Sequence, residues 1–446
     1  MRARGLVVVL SWLAACHSSS ERAEGVGPPR GGQPAAEAAL PSALAHAAVS
    51  AAAGPSASAP APAAPTRVEN VLLLTIDSLR ADQPWVGYPH VETPALSALA
   101  AKSTIYTRAY SVSNMTTSSL SGMLAGRYPS ELRRDTCALA GYAGPEPEAL
   151  APVLHAAGVR TLAALGHTVF LNKLVPADGF DEWRLTENAA ARASDGAVTG
   201  DAISALTVRT LQEFGDKGRF FAWAHFVDPH DKYVLHPEFK VSSPPVRAAY
   251  DTEVAFTDKV VGRVLDALAA SPYADRTAVI VTADHGEMLG EHGATRHGFT
   301  TYDEEVRVPL LIYVPGRPPG KVEAPRSLID LAPTVTALLG VGAPEGWRGR
   351  SWLPDLGAAA PEERPVFVDI PELDQRPGGQ IFVYKGQKVV LTGIGGPRVV
   401  DLGRDPGERE SLLGRAAAGA IGAARAWATP PPVLPPKRCT RTKEAK

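Results

Sequence analysis

Polar side chains that could hold a metal ion directly follow two apolar runs of the sequence. Asp77 follows VLLLTI (71–76), and the pair Asp284 and His285 follows AVIVTA (278–283). Apolar runs of this length predict strands buried in a parallel sheet, and such sheets bind ligands at the carboxyl ends of their strands. Carboxylate oxygens and an imidazole nitrogen can together bind one divalent cation, which polarises a substrate oxygen and acidifies a bound hydroxyl. The pattern therefore predicts metal-assisted chemistry, with Ca, Mg, Mn and Zn all compatible with these ligands. The alternatives are that Asp77 caps the next helix and that the Asp284–His285 pair lies in a solvated turn.

The elements that must position these residues alternate along the chain. Further apolar runs of strand length lie at 161–166, 220–227 and 308–314, and helical patterns lie at 93–102, 249–269 and 330–339. Strands that alternate with helices predict an α/β fold, in which a mixed, mostly parallel sheet is sandwiched by helices. Beyond about residue 360, three short apolar runs without helices between them predict a small antiparallel C-terminal subdomain. We therefore predict a catalytic domain over 67–360, followed by a C-terminal subdomain and tail over 361–446.

The N-terminus has the pattern of a secretory signal. Two arginines precede an apolar run over residues 5–15, which is about half the ~20 residues that span a bilayer. The run ends in LAAC, which resembles the bacterial lipobox, in which Cys16 becomes the lipidated first residue of the mature chain. The alternative is ordinary cleavage near Ala15 with an incidental cysteine. We predict a lipoprotein signal peptide over 1–16 and a lipid-anchored protein of the bacterial cell envelope, facing the periplasm or the exterior.

The segment that follows the signal has the composition of a tether. Residues 17–66 are rich in Ala, Pro, Ser and Gly and contain no aromatic residue. Such a segment cannot bury enough apolar area to offset the entropy of ordering, so we predict disorder. Export would also place Cys137 and Cys439 in a compartment that permits disulfides, and a bridge and two free thiols both remain open from spacing alone.

Charge argues against nucleic acid as a partner. The chain has 45 basic and 47 acidic side chains, and its formal net charge is -2. This balance creates no basic surface potential that would attract a phosphate backbone. We expect instead a small or surface-displayed substrate.

Several longer motifs, taken together and in order, resemble the sulfatase family from Asn70 to about Leu413. The most specific is DHGEMLGEHG, which begins at Asp284, and TPALSALA, GRYP, IDLAPTVTALLGV and DLGRDPGERESL add to it. The resemblance implies the alkaline phosphatase superfamily fold and one divalent metal ion held by Asp77, Asp284 and His285. It also implies an anionic ester substrate, such as a glycan or an envelope polymer.

The nucleophile position departs from the sulfatase pattern. SSLSGMLAGRYP (118–129) resembles the stretch that follows the nucleophile in the family, C-x-P-S-R-x-x-L-x-T-G-R. Counting back from the Gly-Arg pair puts Thr116 where a sulfatase carries the cysteine or serine that is oxidised to formylglycine. Ser118 stands in place of the motif proline and Leu120 in place of its arginine. The resemblance thus implies Thr116 as nucleophile and fourth metal ligand, because a metal can lower the pKa of a hydroxyl.

Two histidines lie in segments that resemble the substrate-binding segments of the family. His230 in HFVDPHDKY matches the second histidine of H-x-x-x-P-H-x-P-Y, and His297 in RHGFTTYDEEVRVPL matches a histidine or lysine that binds the anionic group. We assign both to contacts with the ester, the alternative for His230 being a surface loop. We interpret His225 as structural, because it lies inside an apolar run, and His292 as a loop brace. The role of His167 stays open.

The position after Asp77 is also unusual, because Ser78 stands where many sulfatases have a second metal-binding aspartate. The resulting ligand set is more like that of the Thr-dependent lipoteichoic acid synthases and phosphoethanolamine transferases. With Leu120 in place of an arginine, stabilisation of the transition state is expected to depend on the metal and the histidines.

Three functions are compatible with these residues. The first is a metal-dependent hydrolase of sulfuric or phosphoric esters that uses Thr116. The second is a transferase that moves a phosphoryl-linked group onto an envelope acceptor. The third is a catalytically impaired protein that binds an envelope glycan, although retention of Asp77, Asp284, His285 and His230 argues against complete loss of metal chemistry.

Overall fold

The structure, a computed structural model, describes residues 67–137, 139–142, 146–187, 189, 199–374, 376–392, 397–412, 415–427 and 434–438. The predicted signal peptide, the predicted tether and Cys439 lie outside these residues. Cys137 is disulfide-bonded. Lys437 exchanges backbone hydrogen bonds with Arg134 and Thr136, so the end of the described chain lies beside the segment that precedes Cys137. Over these ranges, none of the helices has the length and apolar character needed to cross a membrane.

A large mixed sheet occupies the middle of the fold. As far as residue 327, the strands are β1 (Asn70–Ile76), β2 (Thr104–Tyr110), β3 (Arg160–Leu165), β4 (Glu182–Leu185), β5 (Phe220–Phe226), β6 (Thr277–Ala283), β7 (Met288–Leu289), β8 (Thr295–Arg296), β9 (Arg307–Tyr313), β10 (Gly320–Val322) and β11 (Arg326–Ser327). The sheet has the order β10-β2-β9-β6-β1-β5-β3-β4, with β11 also beside β2, and β7 pairs with β8 in a separate hairpin. The pairs that β9 makes with β2 and β6 are antiparallel. The other pairs of this sheet are parallel, which confirms the predicted mixed and mostly parallel sheet.

Helices follow most of these strands. They are α1 (Pro94–Ala100), α2 (Thr116–Ala125), α3 (Leu150–Ala156), α4 (Thr168–Leu171), α5 (Gly200–Phe214), α6 (Pro245–Ala269), α7 (Asp303–Val306), α8 (Leu331–Leu338) and α9 (Arg415–Trp427). All residues of β1, β5 and β6 are buried. Because successive strand residues face opposite sides of a sheet, both faces of these central strands must be covered.

The C-terminal region forms a second, antiparallel sheet, as predicted. Its strands are β12 (Val366–Ile370), β13 (Gly379–Tyr384), β14 (Gln387–Thr392) and β15 (Arg398–Asp401), in that spatial order. One face packs Val368 and Ile381 against Tyr110 of β2. The other face packs Phe367 and Phe382 against α9, which was not among the predicted elements. The alternation of strand side chains thus provides one face for the larger sheet and one for α9.

Candidate active site

The register of the central strands brings the predicted ligands together. The last residues of β1 and β6 lie opposite each other in a parallel pair, so Asp77 and Asp284 leave the sheet side by side. His225 lies near the end of β5, which flanks β1 on its other side. Potential ligand atoms of Asp77, His225 and Asp284 all lie within 4.8 Å of one another, and all three residues are buried.

His285 lies against the same carboxylates. Its Nε2 is 3.6 Å from Oδ1 of Asp77 and 3.4 Å from Oδ2 of Asp284. Its Nδ1 lies 2.9 Å from the carbonyl oxygen of Gly286, which can only accept a hydrogen bond. In the neutral ring the proton is therefore on Nδ1, and Nε2 presents a lone pair to the carboxylates. We refer to Asp77, His225, Asp284 and His285 as the candidate metal site.

Thr116 lies beside this site at the beginning of α2. Its Oγ1 is 3.2 Å from Nε2 of His285. One helical turn later, the hydroxyl of Ser119 donates to the carbonyl oxygen of Asp284 at 2.6 Å, which fixes the start of α2 to the end of β6. The N-terminus of a helix carries partial positive charge, so negative charge is favoured near Thr116. The structure thus brings the predicted nucleophile next to three predicted ligands.

The two ring nitrogens of His225 contact Thr75 and Asp77. Nε1 of Trp223 donates to Oγ1 of Thr75 at 2.8 Å, and this hydroxyl donates to the carbonyl oxygen of Ala224 at 3.4 Å. Nδ1 of His225 lies 2.8 Å from the same Oγ1. The hydroxyl can direct its single proton to Ala224, and in that arrangement Nδ1 is the donor and Nε2 presents its lone pair towards Oδ2 of Asp77, 3.4 Å away.

The sequence predicts a structural role for His225, whereas the structure places it in the candidate metal site. The apolar run that surrounds it concealed this position. A signal was nonetheless present, because a polar side chain near the end of a fully buried strand requires a buried polar partner.

The carboxylates of the candidate metal site are expected to attract a cation. Burial raises the pKa of Asp77, but the imidazoles of His230, His225 and His285 together bring that pKa well below its usual value. Burial and the charge of Asp77 raise the pKa of Asp284. Oδ2 of Asp284 is buried without a hydrogen bond from any residue that the structure describes. Two carboxylates and two correctly oriented imidazoles fit a divalent metal ion.

A cavity of about 560 Å³ opens over Thr116. Its lining residues include both substrate-contacting histidines that the sequence predicts: Met115, Thr116, Thr117, Leu139, His167, Thr168, Val169, Asn172, His230, Asp231, Arg296, His297, Phe299 and Arg376. The ring centroids of His230 and His297 are 4.9 Å apart. The structure therefore brings Thr116, His230 and His297 to one cavity.

Each of these two histidines has Nδ1 engaged away from the cavity. Nδ1 of His230 lies 2.6 Å from the carbonyl oxygen of Asp231. Nδ1 of His297 lies 3.2 Å from a carboxylate oxygen of Glu287, whose pKa is raised by burial to about 7. Burial, reinforced by the neighbouring charges of His285 and His230, keeps the pKa of His297 well below its usual value. The Nε2 atoms therefore remain to exchange a proton with a bound ester.

The loop that carries His297 is held by a buried carboxylate. Glu305 accepts hydrogen bonds from the backbone N–H groups of Gly298, Phe299 and Thr300. Three donors on one carboxylate leave the loop little freedom, so the position of His297 is determined by backbone contacts and not by its own side chain alone.

The remaining histidines divide between the cavity and the surrounding loops. His167, whose role the sequence left open, lines the cavity, and its Nδ1 accepts from the N–H of Val169 at 3.1 Å. Its Nε2 therefore carries the proton of the neutral ring, and burial lowers its pKa to about 4. His292 stacks on Tyr302 at 3.6 Å, which is the geometry of a loop brace.

The arginine side chains around the cavity are arranged differently from what the sequence predicts. Leu120, at the motif arginine position, is 1% exposed and lies in the main hydrophobic core. Arg376 of the C-terminal subdomain lines the cavity instead, although no side-chain cation was expected there. Arg80 donates to the carbonyl oxygen of Glu287 and pairs with Glu291, so it holds the loop after β6.

The chain is similar to known proteins over most of the catalytic region. Residues 69–341 match the sequence model of the Sulfatase family. The ulvan-active sulfatase of Formosa agariphila is 26% identical over 334 residues, which cover 64% of this chain and 64% of that protein. Across three curated relatives, the chain spans from 32% to 64% of their length.

Solved structures share the fold. A putative sulfatase from Bacteroides thetaiotaomicron has a TM-score of 0.68 and 19% identity, covering 81% of this chain and 91% of that chain. The phosphonate monoester hydrolase of Silicibacter pomeroyi has a TM-score of 0.64 and 24% identity, covering 80% of this chain and 94% of that chain. The family match, which covers more than half of the sequence, establishes that the chain belongs to the sulfatase family.

Proposed function

We propose that this chain is a metal-dependent hydrolase of phosphorus esters in which Thr116 is the nucleophile. The observation that carries the proposal is the 3.2 Å distance between Oγ1 of Thr116 and Nε2 of His285, a member of the candidate metal site. A divalent ion held by Asp77, His225, Asp284 and His285 would polarise the ester oxygens and lower the pKa of the Thr116 hydroxyl.

In the proposed reaction, Oγ1 of Thr116 forms a bond to phosphorus, and the bond to the leaving oxygen breaks in line with it. Because Nδ1 of His230 donates to a carbonyl oxygen, Nε2 of its neutral ring carries a lone pair, which takes the proton of the Thr116 hydroxyl and then passes it to the leaving oxygen. Nε2 of His297 is the second candidate for this proton transfer. A water molecule then attacks phosphorus of the phosphothreonine and releases inorganic anion with a free Thr116 hydroxyl. Glu305 supports this reaction by holding the loop that carries His297 in place.

The identity of the nucleophile favours phosphorus over sulfur. A formylglycine hydrate can eliminate sulfate through its hemiacetal hydroxyl, whereas a sulfated threonine has no such route and depends on direct attack by water. A phosphothreonine can be hydrolysed by that attack. The fold itself accommodates either ester, since its structural neighbours include sulfatases and a phosphonate monoester hydrolase. Sulfate esters of glycans are the second candidate, favoured by the names of the relatives.

The donor set favours zinc or manganese among the four metals that the sequence left open. Calcium takes six to eight oxygen ligands, and magnesium keeps much of its water shell. The candidate metal site instead offers imidazole nitrogens beside two carboxylates. Zinc and manganese accept such mixed ligands.

Metal-dependent turnover tests the proposal. The mature chain is stripped with a chelator, reloaded with Zn, Mn, Mg or Ca, and assayed on nitrophenyl esters of sulfate, phosphate, a phosphodiester and a phosphonate. We expect turnover of a phosphorus ester that requires metal and disappears in Thr116→Ala. Turnover of the sulfate ester alone would contradict the choice of phosphorus, and release of product only with an added acceptor would support a transferase.

We also propose that the chain acts at the bacterial cell envelope, anchored through a lipid on Cys16. The support is the sequence pattern over residues 1–16. Metabolic labelling with a radioactive fatty acid should mark the wild-type chain and leave Cys16→Ser unlabelled. Labelling of the Cys16→Ser chain would contradict lipidation at this residue.

A further inference from the structure

Arg376 reaches the cavity from the C-terminal subdomain. It ends a tight turn between β12 and β13, in which the backbone N–H groups of Leu373 and Arg376 each donate to the other's carbonyl oxygen at 3.0 and 3.1 Å. The N–H of Asp374 donates to the carbonyl oxygen of Thr136 at 3.1 Å. This bond attaches the turn to the segment after α2. The backbone that carries the Arg376 side chain is therefore held in position.

The guanidinium lies between the two parts of the site that would handle the ester. It covers the ring of Phe299, with 4.5 Å from its central carbon to the ring centroid. Its Nη1 lies so close to Gly298 that a Cβ at that position would collide with it. The same Cβ would lie 3.0 Å from Cγ of Met115. Arg376 therefore lies beside Gly298, which follows His297, and near Met115, which precedes Thr116.

This cation has no neutralising partner within the part of the chain that the structure describes. Nη1 of Arg376 is buried without a hydrogen bond to any described residue. Burial lowers the pKa of Arg376, with the charge of Glu305 opposing this shift, yet a guanidinium keeps its proton at any ordinary pH. A guanidinium nitrogen that is buried without a hydrogen bond is costly, so a position like this one favours binding of an anion.

A second arginine of the same cavity provides a contrast. Arg296 pairs with Oδ2 of Asp231 at 3.1 Å, and its side chain is 59% exposed. Its charge is already compensated and screened by solvent, so it contributes little to the attraction of an ester. The control for Arg376 is Arg276, which is 39% exposed, pairs with Glu69 at 2.8 Å and lies outside the cavity lining.

We propose that Arg376 binds the anionic oxygens of the substrate ester and supplies the side-chain cation that the Leu120 position lacks. The inference rests on the proposed function, because it takes the ester over Thr116 as the bound anion. A guanidinium offers paired N–H donors that match two oxygens of a phosphoryl group. Leu120 cannot serve in this way, because it is buried in the core and lies outside the cavity lining.

The test uses Arg376→Met, Arg376→Lys and the control Arg276→Met in the full-length, metal-loaded protein. Methionine keeps an unbranched stem that can pack on Phe299 while removing the charge. Loss of a charged hydrogen-bond donor should lower kcat/KM for the phosphorus ester about 10- to 100-fold in Arg376→Met. Calorimetric affinity for inorganic phosphate should fall by a similar factor, with Arg376→Lys in between and Arg276→Met close to wild type.

Chemical rescue separates contact with the ester from a structural role. Free guanidinium ion should restore a measurable part of the activity of Arg376→Ala and leave the activity of Arg276→Ala unchanged. Thermal unfolding should show that Arg376→Met is folded, since Nη1 has no hydrogen bond to a described residue to lose. Unchanged phosphate affinity in folded Arg376→Met would overturn the inference. If wild type binds phosphate through Arg376 but hydrolyses no ester, the proposed function fails while the anion site stands.

Discussion

The hydroxyl oxygen of Thr116 lies 3.2 Å from Nε2 of His285, at the point where the first turn of α2 meets the end of β6. The contact joins the candidate nucleophile to the candidate metal site without any modified residue. In this chain, reactivity at position 116 therefore has to come from its surroundings, and the surroundings are two carboxylates, two imidazoles and a helix N-terminus.

Replacement of Thr116 should separate catalysis from folding. Thr116→Ala should remove metal-dependent turnover, while Thr116→Ser should retain part of it, because serine keeps the hydroxyl. Rapid quenching followed by mass spectrometry of the 116-containing peptide should detect a phosphorylated residue in wild type and in Thr116→Ser. Thr117→Ala is the control, since this neighbour also lines the cavity and is expected to stay active. A phosphate found on another residue would identify a different nucleophile.

The two histidines of the candidate metal site should both contribute to metal affinity. His225→Gln should weaken binding of Zn or Mn to the protein, measured by competition with a chelator. Thr75→Val should weaken it about 10- to 100-fold, because Nδ1 of His225 would lose the partner that fixes its tautomer. His155→Gln is the control, since that side chain is 61% exposed and contacts Asp181. An affinity of His225→Gln for Zn or Mn equal to that of wild type would show that this histidine has only a structural role.

Restoring the arginine of the sulfatase motif should damage this protein. Leu120 lies in the main core, so Leu120→Arg would bury a charge with no prepared partner, at a cost of about 3 to 5 kcal/mol in the free energy of unfolding. Leu120→Met, of similar volume, should cost less than about 1.5 kcal/mol. Urea unfolding of both variants measures the difference. Equal stability of the two variants would mean that position 120 can reach solvent or the cavity.

Stability should depend on pH through Glu253. Oε1 of this buried carboxyl accepts from the N–H of Val234, Oε2 lacks a partner among the described residues, and burial raises the pKa from 4.5 to about 9. Between these values the folded chain holds a proton that the unfolded chain has released. The contribution of Glu253 to stability is therefore complete below about pH 4.5 and falls by about 1.4 kcal/mol for each pH unit towards pH 9.

Glu253→Gln removes this titration while keeping an acceptor for the N–H of Val234. Its unfolding free energy should match that of wild type near pH 4.5 and exceed it increasingly as the pH rises to 8. Glu238→Gln, at a side chain that is 54% exposed, should follow wild type throughout. A difference between Glu253→Gln and wild type that does not grow with pH would show that Glu253 ionises normally in the folded state.

The sequence by itself determined the alternation of strands and helices, the antiparallel C-terminal strands and the positions of Asp77, Asp284 and His285. These features follow from local patterns, because an apolar run predicts a buried strand and its last residue predicts where a ligand emerges. The family resemblance predicted the roles of Thr116, His230 and His297, and the structure places all three at one cavity. The helix α9 was missed, although its alanine-rich sequence has high helix propensity.

Tertiary structure alone decided which distant residues complete the site. His225 joins Asp77 because β5 pairs with β1 in one particular register, and a buried polar residue inside an apolar run does not reveal its partner. Arg376 lies beside Met115 because a turn of the C-terminal subdomain is fastened to the segment after α2. Such contacts join residues more than a hundred positions apart, so they depend on sheet register and subdomain packing, which no local periodicity encodes.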